Sequence, residues 1–296
     1  MFSESFSQRD SERVRAGENL IDLSVGIFNV CQTKQNPGRL IGALASATGT
    51  VPGCSTERYR RYMTKVNDSL WTFAEEHFTS IRLSKYLGQA KGDQEQAVLL
   101  YRWNSELSAA VWEALGYLEV ALRNLLDKKL TERHVKLGRS GHWILDDNFE
   151  FGRSPHASHK PNQPFFEVTE AIKRVERNRK RVTPDQIISE LSFGFWNQLI
   201  SKKHQFLWPD LASGFPNAPS RDQSYISNLT QDIRRIRNRI GHHHRLNPEL
   251  AKNAEQIILQ LAFSIDSQLV DWIEERSRIS QLMLELDLIL ASVGPK

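Results

Sequence analysis

The sequence predicts an all-α protein, a bundle of helices, on three observations. From about residue 66 onward, apolar residues recur at steps of three and four. Cap and proline signals stand where such patterns begin: Asp93, Thr183-Pro184-Asp185 and Asn247-Pro248-Glu249. No stretch shows the apolar-polar alternation of a half-buried strand, and no internal repeat is present.

The elements follow in order. Residues 1–62, with "NPGRLIGALASATGTVPG" among them, scatter Gly, Pro, Ser and Thr through weak patterning and read as a loosely ordered or separate extension. Met63 marks the start of the helical domain, residues 63–296. Asn67, Asp68 or Ser69 caps a first helix through "LWTFAEEHF". Asp93 caps the next pattern, which reaches His134 as one long helix or two. Its stripe is Leu107, Val111, Leu115, Leu118, Leu122 and Leu125. Gly and Pro break the following stretch into loop, and helix returns over Glu167–Arg181. Thr183 then caps a helix with Pro184 at its first position, and that helix holds "QIISELSFGFWNQLI". "LWPDLASGFPNAPS" reads as loop. A helix over Arg221–Ile240 puts Ile226, Leu229, Ile233, Ile236 and Ile240 on one face. Asn247 opens a last one that runs through "WIEE".

The chain of 296 residues is long enough for a sizeable core. Seven Trp and fourteen Phe argue against wholesale disorder. No apolar stretch approaches the ~20 residues needed to span a bilayer. The start, "MFSESFSQRDSERVR", is no secretory signal. Cys31 and Cys54 have no metal-ligand spacing around them, so reduced thiols in a cytoplasmic protein are expected. The net charge of +4 is modest, but cations concentrate in Lys173–Arg181 and Arg234–Arg245. Such patches suit a polyanion, chiefly nucleic acid, although a basic helix face is often simply solvated.

The second patch, "RRIRNRIGHHHRLNP", carries the candidate chemistry. On a helical wheel Ile236 and Ile240 lie within about 60° of Ile233, while Arg237 and His242 are about 140° apart. Gly241 weakens the helix just before the histidines, which therefore occupy its end and exit. Three readings are open. Cations are favoured by the dipole at a helix C-terminus. Imidazoles bind metals, but consecutive histidines project in different directions, and neither a metal nor a cofactor is expected. Third, guanidinium can stabilise a phosphodiester that gains charge in its transition state, and imidazole can carry a proton at neutral pH. The RNA 2′-OH would then be the nucleophile.

"RNRIGH" (Arg237–His242) resembles the R-x4-6-H signature of HEPN domains. "RLSKYL" (Arg82–Leu87), "AVLLYRWN" (Ala97–Asn104), "LGYLEVALRNLL" (Leu115–Leu126) and "SELSFGFWNQLI" (Ser189–Ile200) resemble the Abi-like family of bacterial abortive-infection proteins, which belongs to the HEPN superfamily. The resemblance covers about residues 68–275 and none of the first sixty. It implies a HEPN-like helical bundle with additional helices that forms a homodimer. It also implies metal-independent endoribonuclease activity in many members and loss of catalysis in some. The implied catalytic residues are Arg237, Asn238 and His242, with His243 and His244 also within the looser spacing. An acidic residue on an earlier helix maps to Glu119, with Arg123 beside it, although Glu119 and Arg123 also stand at the spacing of a helical ion pair. Two motif copies meeting across a two-fold axis would suit the offset of Arg237 from His242.

The expected function is an RNA-cleaving enzyme of an abortive-infection, phage-defence or toxin-type system. Arg234, Arg239, Lys173, Arg174 and Arg177 would hold the RNA backbone. The alternatives are a catalytically inactive protein that binds a structured RNA, and a dimeric interaction protein. Phe193, Phe195 and Trp196 read as core anchors, with an RNA-stacking role for Trp196 as the lesser alternative.

Overall fold

The structure is a computed structural model that describes residues 68–146 and 164–291. The expected boundary at residue 62, both cysteines, His156 and His159 lie outside the described residues. Within them every regular element is helical, as the periodicity predicts. No described helix is long and apolar enough to cross a membrane.

Helices α1 (Asp68–Phe78) and α2 (Ser80–Gln89) lead into α3 (Gln94–Lys136), one continuous helix of 43 residues. Asp93 caps α3, its side chain accepting from the Gln96 amide at 3.0 Å. Its last turn holds Arg133, His134 and Lys136, which complement the dipole. At 1.5 Å per residue α3 is about 65 Å long. It is the pillar of the fold, since α1, α2 and five later helices pack against it. Leu107, Val111, Leu115, Leu118 and Leu122 are buried as expected, each worth ~1.5–3 kcal/mol. Leu125 is half-buried, and Leu126 and Leu130 continue the seam. Leu125 instead lies against Gly214, where an added Cβ would come within 3.0 Å of its Cδ1.

Four other boundaries differ from the sequence reading. Helix α4 is Pro164–Arg177 and stops short of Arg181, because Arg179 turns left-handed at φ 56°. The helix after Thr183 is two: α5 (Pro184–Glu190) and α6 (Phe193–Ile200). Thr183 caps the first as expected, and Ser192 caps the second through the Phe195 amide. Glu167 of α4 accepts from both the Ser192 hydroxyl (2.8 Å) and Gln198 Nε2 (2.7 Å), which fixes the corner. Phe193, Phe195 and Trp196 are buried in the core, so Trp196 offers RNA no stacking face. The expected loop after Leu207 forms the one-turn helix α7 (Trp208–Leu211) and a 3-10 turn.

Helix α8 (Gln223–Gly241) follows. The pattern after Asn247 is cut into α9 (Pro248–Ile265), α10 (Ser267–Arg276) and α11 (Ile279–Ala291). Extended Asp266 closes α9 and caps α10 through the Gln268 amide at 2.9 Å. Helices α8, α9 and α11 complete the shell around α3.

Candidate nucleic-acid interface

Helix α8 is amphipathic by sequence, and the structure buries the stripe Ile226, Leu229, Ile233, Ile236 and Ile240. Its start is tied to the end of α6, where Gln223 Nε2 donates to the carbonyls of Ile200 and Ser201, each at 2.8 Å. That leaves Arg234, Asn238 and Arg239 exposed and Arg237 half-buried at the edge of the seam.

Helix α8 ends where the sequence suggests, with Gly241 its last residue and the histidines at its end and exit; the form of the ending is what the sequence does not show. His242 is the cap, and the left-handed position belongs to His243 at φ 55°. The His243 amide bonds the Ile240 carbonyl (2.8 Å) and the His244 amide bonds the Arg239 carbonyl (3.0 Å). This pair of bonds is the Schellman helix ending, in which the left-handed place normally goes to glycine. A β-carbon there costs about 1 kcal/mol.

Distant residues hold this strained turn. Arg82 of α2 donates to the His243 carbonyl at 2.8 Å. Arg239 Nε donates to the Arg245 carbonyl at 2.9 Å. Arg245 in turn bonds Gln89 and lies over the Tyr86 ring, 5.1 Å from its centroid. Below it, buried Asn104 of α3 holds both backbone groups of Leu246: its Oδ1 accepts from the Leu246 amide at 3.2 Å, and its Nδ2 donates to the Leu246 carbonyl. The Tyr86 hydroxyl donates to the same Oδ1 at 3.0 Å. Burial pushes the Tyr86 phenol up to about 12, so it remains a donor throughout the neutral range. Sequence reasoning missed Tyr86, Asn104 and Arg245. A polar residue at the otherwise apolar position 104, between Leu100 and Leu107, is the signal that could have found the lock.

The turn and α8 form one side of an open cleft of about 1460 Å³. Arg237, Arg239, His243 and His244 line it, facing Arg82 and Lys85 of α2 and Trp112 of α3. His242 is exposed and is not among the lining side chains; its ring centroid is 6.1 Å from that of His244. The Arg237 guanidinium stands over Trp112, 5.4 Å from the ring centroid. Glu119 Oε2 is 3.9 Å from Arg237 Nε, near enough for attraction and too far for a hydrogen bond. Arg237 Nε is buried and unbonded. Arg237 is therefore held in place by a carboxylate and a ring, with its hydrogen-bond donors uncommitted. Glu119 faces the motif arginine, not Arg123, whose own Nε is buried and unbonded.

The other basic run is not brought to this cleft's lining. Lys173 pairs with Glu170 (2.7 Å), and Arg174 is taken by Glu190, with Nε 3.3 Å from its carboxylate and Nη2 2.6 Å from its carbonyl. Arg177 is exposed. Arg234 is exposed beside α6, where a Cβ added to Gly194 would lie 3.9 Å from its Nε. Among the described residues no three His, Cys, Asp or Glu side chains are grouped so as to hold a metal ion.

A family model described as Abi-like protein matches residues 55–247, about two thirds of the chain. The match ends at Asn247, directly after the histidine turn, and leaves α9 to α11 outside it. No curated protein and no solved structure matches the chain.

Proposed function

The chain belongs to the Abi-like protein family, and from that premise we propose that it is a metal-independent endoribonuclease of an abortive-infection, phage-defence or toxin-type system, acting as a homodimer on the HEPN plan. The observation that supports this best is the company of Arg237: an uncommitted guanidinium, steadied by Glu119 and Trp112, in an open cleft that two imidazoles also line.

The chemistry follows from those groups. Arg237 binds the scissile phosphate, and its hydrogen bonds strengthen as the phosphorane gathers charge. A histidine of the turn takes the proton of the 2′-OH, whose oxygen attacks phosphorus. A second imidazole protonates the departing 5′-oxygen. The products are a 2′,3′-cyclic phosphate and a 5′-hydroxyl. By the spacing of the motif His242 is the first candidate for the base. It is not among the side chains that line the cleft with Arg237, which favours its supply by a second copy. His243 and His244 line that cleft, which supports one of them as the acid that protonates the leaving group. Asn238, exposed one residue beyond Arg237, orients the phosphate or the imidazole.

The test is incubation of the full chain with RNA in EDTA, resolved on a denaturing gel. Cleavage should persist in EDTA and leave cyclic-phosphate ends, and Arg237→Ala and His242→Ala should each reduce it at least a hundredfold, roughly what one such group contributes. Cutting that needs an added divalent ion would refute the mechanism, and undiminished cutting by both variants would refute the site.

A further inference from the structure

The nuclease reading leaves open the form of RNA the cleft accepts, and its aromatic lining bears on that. Trp112 stands 41% exposed and lines the cleft beside Arg237. Tyr101 lines the same cleft from the same helix, and Phe78 lies against it with ring centroids 5.0 Å apart. Tyr101, Ser105, Ser108 and Trp112 recur at steps of four, three and four, so they form one stripe of α3. The two aromatic ends of that stripe are about 16 Å apart along the helix. Between them the serines turn their hydroxyls back to the helix, Ser105 to the Tyr101 carbonyl (3.2 Å) and Ser108 to the Asn104 carbonyl (2.8 Å). The floor is thus low in the middle with a ring at either end. The cations Arg82, Lys85, Arg237 and Arg239 rim it.

That combination selects for one form of polyanion. Phosphates alone would be satisfied by the cations. Ring faces are useful only to a ligand that offers flat faces of its own, and in a duplex the base faces are hidden in the stack. Resting on the nuclease reading above, we infer that the cleft takes unpaired RNA and that Trp112 stacks a nucleobase next to the phosphate bound by Arg237. The Phe78–Tyr101 pair is the second platform, further along the same strand.

The experiment is fluorescence anisotropy of the full chain with a labelled unstructured RNA whose 2′-oxygens are methylated, so that it cannot be cut, and with the same strand annealed to its complement; cleavage of the unmodified strand is read separately. Wild type should prefer the single strand by about tenfold or more, one stacked base being worth that much. Trp112→Ala should weaken single-strand binding roughly 5–150-fold, and Trp112→Phe should keep most of it. Trp112→Ala should weaken single-strand binding several-fold more than duplex binding, because Arg237, which the ring also steadies, serves the phosphates of either form, whereas Arg237→Ala should weaken both and lower the slope of log Kd against log salt by about one. Equal binding of duplex and single strand would overturn the inference and leave the nuclease reading standing. So would undiminished binding by Trp112→Ala. A loss in Trp112→Ala that is equal for the two forms, or a change of its oligomeric state, would assign the ring to packing and also overturn the inference. Trp112-dependent binding of single strands without cleavage would sink the nuclease reading and leave this inference intact. If neither RNA binds, both fall.

Discussion

His243 is the residue at which conformation and chemistry are most directly opposed. A Schellman ending asks for glycine at the left-handed position, and a histidine stands there at φ 55°. Strain of this kind persists only where surrounding contacts over-determine it, and the Arg82 bond to the His243 carbonyl is such a contact. His243→Gly relieves the strain. The variant should be more stable by about 1 kcal/mol, raising the urea midpoint. It should also cleave RNA at least tenfold more slowly if the ring serves as an acid. A variant that gains stability and keeps full activity would mark His243 as scaffold. The sequence put a histidine cluster at a helix end without revealing this. The helix ends at Gly241 as its sequence suggests, but the left-handed place falls two residues later, on His243.

At the scale of elements, α8 was the most legible part of the site. Its five-residue isoleucine and leucine seam is a purely local pattern, and the seam alone dictates that Arg234, Asn238 and Arg239 face out. The caps at Asp93, Thr183 and Asn247 were legible for the same reason, since each acts on an amide three residues away. The breaks at Ser192 and Asp266 were not. Glu167 reaches Ser192 from another helix, and Asp266 interrupts a pattern whose apolar period continues past it. Asn104 shows how α3 controls the turn after α8. Asn104→Ala leaves the amide and carbonyl of Leu246 buried without partners. The expected loss is about 2–4 kcal/mol, read from chemical denaturation. A loss below about 0.5 kcal/mol would mean that the lock does not hold the turn.

At the scale of the whole molecule, the proposed homodimer raises the question of which Arg237 would work with which histidine. Arg237 and His242 diverge by about 140° on an ideal helix. A composite site predicts complementation: inactive Arg237→Ala and inactive His242→Ala, mixed and allowed to exchange subunits, should recover about one quarter of wild-type cleavage, since half the dimers are mixed and each has one intact site. No recovery, with exchange verified, would place the pair within one chain. The long pillar α3 carries Glu119 and Trp112 to Arg237 while anchoring Asn104 under the turn.

Helix content, the buried face of α8 and the crowding of arginine and histidine at its end all follow from residues three and four apart, because helical periodicity is a local property. Which imidazoles join Arg237 in the cleft does not follow from spacing. It is settled by hydrogen bonds from Arg82 and Asn104, 161 and 142 residues away in the chain, that hold a left-handed turn no local preference would choose.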